Sequence, residues 1–111
     1  DLIEKVRRGW HTAGSAYIHI LCPCPASWGF DAENTVRIAR IAVEARVFPL
    51  YEIAEGHYNI TVEDKAPRTV ADYVRRQDRF STWKKNQVAA LQQQTDNAYT
   101  QLKNNAAHEM N

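Results

Sequence analysis

The most constraining stretch of the chain is a short apolar run that ends on alternating prolines. Tyr17, Ile18, His19, Ile20 and Leu21 are followed at once by Cys22-Pro23-Cys24-Pro25. Continuous β-branched and aromatic runs of this length are typical of strands buried on both faces of a parallel sheet. Proline cannot donate to a sheet ladder, so a strand over about Ala16 to Leu21 must stop where the prolines begin. A loop through Ala26, Ser27, Trp28, Gly29 and Phe30 then leads to Asp31, an expected helix N-cap with Glu33 in the first turn.

From Asp31 to about Arg46 the polar residues Glu33, Arg37, Arg40 and Glu44 form one narrow helical stripe. The other positions, Val36 through Val43, are apolar or small. That pattern predicts a helix buried against a sheet and a second neighbour, with Arg40 and Glu44 free to pair along the stripe. Pro49 is expected to stop it. Leu50 to Ile53 and His57 to Glu63 read as strands of a hairpin around Glu55-Gly56, with Tyr58, Ile60 and Val62 on the buried face. Thr69 is the expected cap of a helix to about Gln77. A last helix, about Thr82 to Asn105, carries a sparse seam of Val88, Leu91, Ala98, Tyr99 and Leu102 among solvated Gln and Asn. Leu2 to Trp10 reads as a further helix.

One domain with a modest core fits 111 residues. With 14 basic and 13 acidic side chains, no large net field draws the chain to nucleic acid or to a membrane. No apolar run approaches the roughly 20 residues that span a bilayer. Asp1-Leu2-Ile3-Glu4-Lys5 is not the start of a signal peptide, and a chain that opens on Asp1 without Met is expected to be a fragment, a processed product or a truncated reading frame. Cys22 and Cys24, one residue apart, would form a strained disulfide. A reducing, cytoplasmic setting is the expectation.

The cysteines are the place for chemistry, because ligands of open α/β sheets bind at the carboxyl ends of strands. Thiolates suit soft metals and iron–sulfur clusters, although a cluster needs four ligands. A ligand, a buried structural thiol and a reactive thiol are all open on the residues alone. His11, His19, His57 and His108 have no zinc spacing, and His19 reads as a core residue. Arg75, Arg76 and Arg79, with Asp72 and Asp78, read as a solvated, ion-paired face rather than an anion site. Trp28 and Phe30 are expected to pack the loop down, or to shield a cofactor from water.

Ala16 through Pro25, then Trp28-Gly29-Phe30, resembles the strand and "PCP..WG" loop of the beta subunit of pyruvate (2-oxoacid):ferredoxin oxidoreductases. The likeness continues in Ile41-Ala42-Val43-Glu44, in Phe48-Pro49-Leu50-Tyr51-Glu52, and in Val70 to Tyr73 followed by Gln77 and Arg79-Phe80. It covers about residues 1 to 83, and the helical end matches more loosely. The resemblance implies an α/β fold: the C-terminal piece of a thiamine-diphosphate-binding open parallel sheet, with a short β-hairpin and C-terminal helices. It divides the chain into residues 1–83 of the cofactor-binding domain and a helical extension over 84–111.

It also implies a function, the oxidative decarboxylation of a 2-oxoacid, commonly pyruvate, to acyl-CoA, with electrons passed to ferredoxin. Thiamine diphosphate, Mg²⁺ and a [4Fe–4S] cluster are the implied cofactors. The implied partners are the alpha and other subunits, ferredoxin, coenzyme A and the 2-oxoacid. Cys24 resembles the cluster ligand distant from the other three. Cys22 falls where a small residue is usual, so its role is left unassigned. The diphosphate- and Mg²⁺-holding Gly-Asp-Gly…Asn segment and the other cluster cysteines are absent from this chain. Ser27, Arg46 and Asp78 stand where Gly is common, and at Arg46 a positive φ would cost about 1 kcal/mol. Two other readings are an α/β interaction module docking through its last helix, and an independent thiol redox protein using Cys22 and Cys24.

Overall fold

The computed structural model describes residues 1–108. Helix α1 spans Leu2–His11, α2 Pro25–Trp28, α3 Thr35–Glu44, α4 Val70–Val74 and α5 Lys85–His108. Strands β1 (Leu50–Ala54) and β2 (His57–Val62) form an antiparallel pair. Short 3₁₀ turns at Ala32–Asn34 and Asp78–Phe80 precede α3 and follow α4. This is an α/β chain whose sheet, among the described residues, is the two-stranded hairpin alone.

The hairpin follows from its turn. Ala54 faces His57, and the two residues between them, Glu55 and Gly56, have φ of 53° and 80°. Both being positive is what a two-residue turn requires if it is to match the right-handed twist of its strands. The expected alternation holds at Tyr58 and Ile60 and fails at Val62, which is exposed. A bulge is the reason: Tyr51 pairs with Ile60 but Leu50 with Val62, so Thr61 is the extra residue. Its hydroxyl donates to the Leu50 carbonyl at 3.1 Å and accepts from Lys5 Nζ of α1 at 2.9 Å.

Helix α3 ends before Pro49 is reached. The Val47 and Arg46 amides donate to the Ala42 and Val43 carbonyls at 2.9 and 3.0 Å, and Arg46 has φ 62°. That is the double-bonded helix end that normally holds glycine. The core lies between α3 and α4: Ile38, Ile41, Ala42 and Ala45 meet Val70, Tyr73 and Val74, all buried. Leu21, Trp28, Phe30, Phe48, Phe80, Val88 and Leu91 close around them. The helix-start residues act differently from expectation. Asp31 precedes the 3₁₀ turn with no side-chain cap. Thr69 stands at the start of α4, but the Val70 amide is taken by Gln92 of α5 at 2.8 Å.

Three expectations are corrected here. Residues 16–21 pair with no strand; Tyr17 and Ile20 are exposed. A strand of the central type needs neighbours on both edges to satisfy its backbone, and no described strand pairs with it. The segment instead rests against Gly9 of α1 through Ala16 and Ile18. His19 is exposed rather than buried, and meets the Phe48 ring edge-on at 5.1 Å. The third concerns α3, which is covered on one face only, with Val36 70% exposed.

Candidate functional site

The Cys24 loop is built by its prolines. A residue before proline is pushed into extended backbone, and Cys24 stands at φ −112°, ψ 106°. Pro25 opens α2, where its missing N–H leaves nothing unsatisfied. The Trp28 amide donates to the Cys24 carbonyl at 2.9 Å, and the Gly29 and Phe30 amides donate to Pro25. Gly29, at φ 76°, closes the turn. Cys24 is half-buried, Cys22 is exposed and both are free thiols. The Ser27 hydroxyl, then the Ser27 and Ala26 amides, hold the Cys24 thiol below its ordinary range, against a smaller opposing effect of burial. Ser27, a departure from the usual glycine, thus supports thiolate character.

A distant segment grips this loop from behind. The Asp78 amide donates to the Gly29 carbonyl at 2.8 Å. A Cβ on Gly29 would stand 2.5 Å from the Asp78 Cβ, so only glycine admits the approach. The Arg79 guanidinium lies over the Trp28 ring, 3.9 Å from its centroid. It donates to Gln77 Oε1 at 2.7 Å and to the Tyr73 hydroxyl at 3.0 Å. Trp28 meets Phe30 edge-on, and both rings pack on the core, as expected of them. Arg79 is therefore not part of an ion-paired face. Sequence spacing gave no sign of this pairing, because about fifty residues separate Trp28 from Arg79.

The other arginines do form such a face. Asp72 receives Arg68 at 2.6 Å, Arg75, and Arg76 at 3.5 Å. Its carboxyl is held below the usual range by the Arg68 hydrogen bond first, against the opposing effect of burial, with Arg75 and Arg76 assisting. Glu44 pairs with Arg68 rather than Arg40. A cleft of about 430 Å³ runs beside Pro67, Arg68 and Asp72, but the charges lining it already answer one another. Asp78 is not in this network; it abuts Gly29.

Helix α5 turns its seam inward against α4 and β2. Thr95, Tyr99 and Leu102 are buried; Ala98, expected in the seam, is exposed. Its outer face carries amide pairs one turn apart, such as Gln93 with Asn97. No described helix is long and apolar enough to cross a membrane.

No family model matches the chain. Curated relatives do. Pyruvate synthase subunit PorB of Methanothermobacter thermautotrophicus is 38% identical over 103 residues, 93% of this chain and 36% of that protein. The PorB subunit of Methanosarcina barkeri is 42% identical over 80 residues, 72% of this chain and 27% of its own. Ketoisovalerate oxidoreductase subunit VorB of Pyrococcus horikoshii is 32% identical over 105 residues, covering 93% and 34%. The chain belongs to this family of oxidoreductase B subunits.

It spans about a third of the length of these family relatives. Their names divide between pyruvate and ketoisovalerate, so similarity to the family does not single out one 2-oxoacid. Among the described residues, no three His, Cys, Asp or Glu side chains gather as a metal site. Of the two free thiols here, the exposed Cys22 and the half-buried Cys24, Cys24 stands on the loop fixed from both sides. That fits a single ligand of a cluster whose other ligands come from elsewhere. It does not fit a complete metal site among the described residues.

Proposed function

We propose that the chain is part of a 2-oxoacid:ferredoxin oxidoreductase, with pyruvate the leading substrate, and that Cys24 is one ligand of its [4Fe–4S] cluster. The observation that carries this reading is the state of Cys24: half-buried, extended between two prolines, and biased toward thiolate by Ser27. Such a thiolate is set in place with little conformational freedom left to lose on metal binding. Family membership supports the enzyme class. In this reading thiamine diphosphate and Mg²⁺ supply the decarboxylation, the cluster carries single electrons to ferredoxin, and coenzyme A takes the acyl group.

This chain's residues do a narrower job. Trp28 and Phe30 keep water from one side of the Cys24 turn, and Gly29 lets the 77–80 segment close on it. Residues 16–21 are proposed to pair as a strand of the parallel sheet when the rest of the subunit is beside them, which accounts for an apolar run left exposed here. The same holds for the open face of α3. Residues 1–83 then belong to the cofactor-binding domain and 84–111 to a helical extension, described to residue 108. The alpha and other subunits are the proposed partners, in a cytoplasmic complex.

The test is the full-length subunit assembled anaerobically with its partner subunits, as wild type and as Cys24→Ala. Iron content and the electron paramagnetic resonance of the reduced cluster are read beside 2-oxoacid-dependent ferredoxin reduction. Loss of the four-iron signal and of electron transfer, with thiamine diphosphate still bound, is the expected result. An unchanged cluster and rate would make Cys24 a packing thiol and end the assignment.

A further inference from the structure

The segment Gln77–Phe80 touches the Cys24 turn through two residue pairs, Asp78 with Gly29 and Arg79 with Trp28. The Asp78 amide holds the Gly29 carbonyl at 2.8 Å. Asp78 also fills the space where any side chain on Gly29 would go. Arg79 covers the Trp28 ring at 3.9 Å, and its guanidinium is itself fixed by Gln77 Oε1 and the Tyr73 hydroxyl. Gln77 is 3% exposed and donates to the Tyr73 carbonyl at 2.9 Å, so the base of this arrangement is rigid. Trp28 in turn donates its amide to the Cys24 carbonyl. The chain of contacts therefore runs from the buried end of α4, through a planar cation, to the residue that bears the thiol.

From this geometry we infer that Arg79 is a positioning residue for Cys24: stacked on Trp28, it fixes the turn and so fixes where the Cys24 thiol stands. A surface arginine used only for charge would need neither a ring beneath it nor two neutral acceptors beside it. Arg79 has both, and no ion pair among the described residues. A guanidinium stacked on an aromatic ring is worth most when its in-plane donors are also satisfied, as here. Lysine could lie on the ring but could not reach both acceptors.

The site it positions rests on the proposed ligand role, but the positioning can be read without a cluster. In the full-length subunit, loaded and cluster-free, wild type would be compared with Arg79→Ala, Arg79→Lys, Trp28→Phe, Trp28→Leu and the double variant Arg79→Ala/Trp28→Leu. In the cluster-free protein the alkylation rate of Cys24 by iodoacetamide is followed by peptide mass spectrometry. In the loaded protein the resonance lineshape and midpoint potential of the cluster are recorded. Arg79→Ala and Trp28→Leu are expected to raise the alkylation rate about fivefold each, and the double variant by no more than either alone. Trp28→Phe should stay near wild type, with Arg79→Lys between. A changed lineshape in Arg79→Ala, with four irons retained, is the expected signature of a displaced ligand. Wild-type alkylation in both Arg79→Ala and Trp28→Leu would overturn the positioning role, whatever Cys24→Ala does to the cluster. Simple additivity of the two substitutions would also overturn it. If Arg79→Ala fails to fold, Trp28→Phe against Trp28→Leu decides the question on the same readout.

Discussion

The guanidinium of Arg46 lies over the ring of Tyr99, its central carbon 4.0 Å from the ring centroid. This joins the end of α3 to the middle of α5, and a third strand of chain is tied in where Arg46 Nη2 donates to the Asp64 carbonyl at 3.2 Å. Arg46 does so from left-handed backbone, at φ 62°, in the position where glycine normally ends a helix. Its Nε is buried with no hydrogen-bond partner among the described residues. Burial pushes the Tyr99 phenol up, with Arg46 acting against it.

Two substitutions at Arg46 separate backbone from side chain. Arg46→Ala keeps the unfavourable φ and loses both the ring contact and the Asp64 bond, an expected loss of about 1–2 kcal/mol. Arg46→Gly loses the same contacts but relieves the backbone, by about 1 kcal/mol. The glycine variant should therefore be the more stable of the two in urea unfolding. Equal midpoints would show that the helix end tolerates φ 62° at no cost.

The seam of α5 gives a second prediction. Leu102 and Tyr99 are 8% and 4% exposed, while Ala98 beside them is open to solvent. Leu102→Ala is expected to cost about 2–3 kcal/mol, since the cavity it leaves is lined by packed neighbours. Ala98→Leu should change stability by less than about 0.5 kcal/mol. Thermal unfolding of the two variants checks both, and a marked loss in Ala98→Leu would place the wrong face of α5 inward.

That seam also shows where the sequence was legible. Val88, Leu91, Tyr99 and Leu102 were readable because apolar residues at helical spacing mark a buried face. Thr95 was not, because a small polar residue signals burial only through its neighbours; Ala98 was assigned on polarity alone. The hairpin was legible from Glu55-Gly56, yet the bulge at Thr61 was not, as register is set by pairing rather than composition. Residues 16–21 carry the pattern of a central strand, but a strand forms only beside partners, and the described residues hold none for it. At the candidate site, Cys22-Pro23-Cys24-Pro25 stood out because it closes an apolar run, and the family resemblance singles out Cys24 within it. Its support from Gln77–Phe80 was invisible, since the Arg79–Trp28 stack spans most of the core in sequence and depends on how the Asp78–Phe80 turn lies against α2.

The third prediction concerns acid. Glu52 is held below its ordinary range by the Arg8 hydrogen bond, then against burial by Lys5 and further by Arg8; Asp72 is held down by Arg68 and its neighbours. Both carboxyls therefore bind protons less readily in the folded chain than in the unfolded one. Their contribution is fully present above the unfolded carboxylate values, and is lost as pH falls through the lower folded ones. Unfolding midpoints should be flat near neutrality and decline below about pH 4. Glu52→Gln, which leaves Lys5 and Arg8 facing a neutral amide, should start lower at pH 7 and decline less steeply. Asp72→Asn should behave likewise, with the larger loss at pH 7, because three arginines converge on Asp72 and would be left to repel one another. Urea unfolding at a series of pH values from 7 down to about 3 measures both slopes. If the double variant declined as steeply as wild type, the acid dependence would belong to other carboxylates, and these two pairs would be contacts without energetic weight.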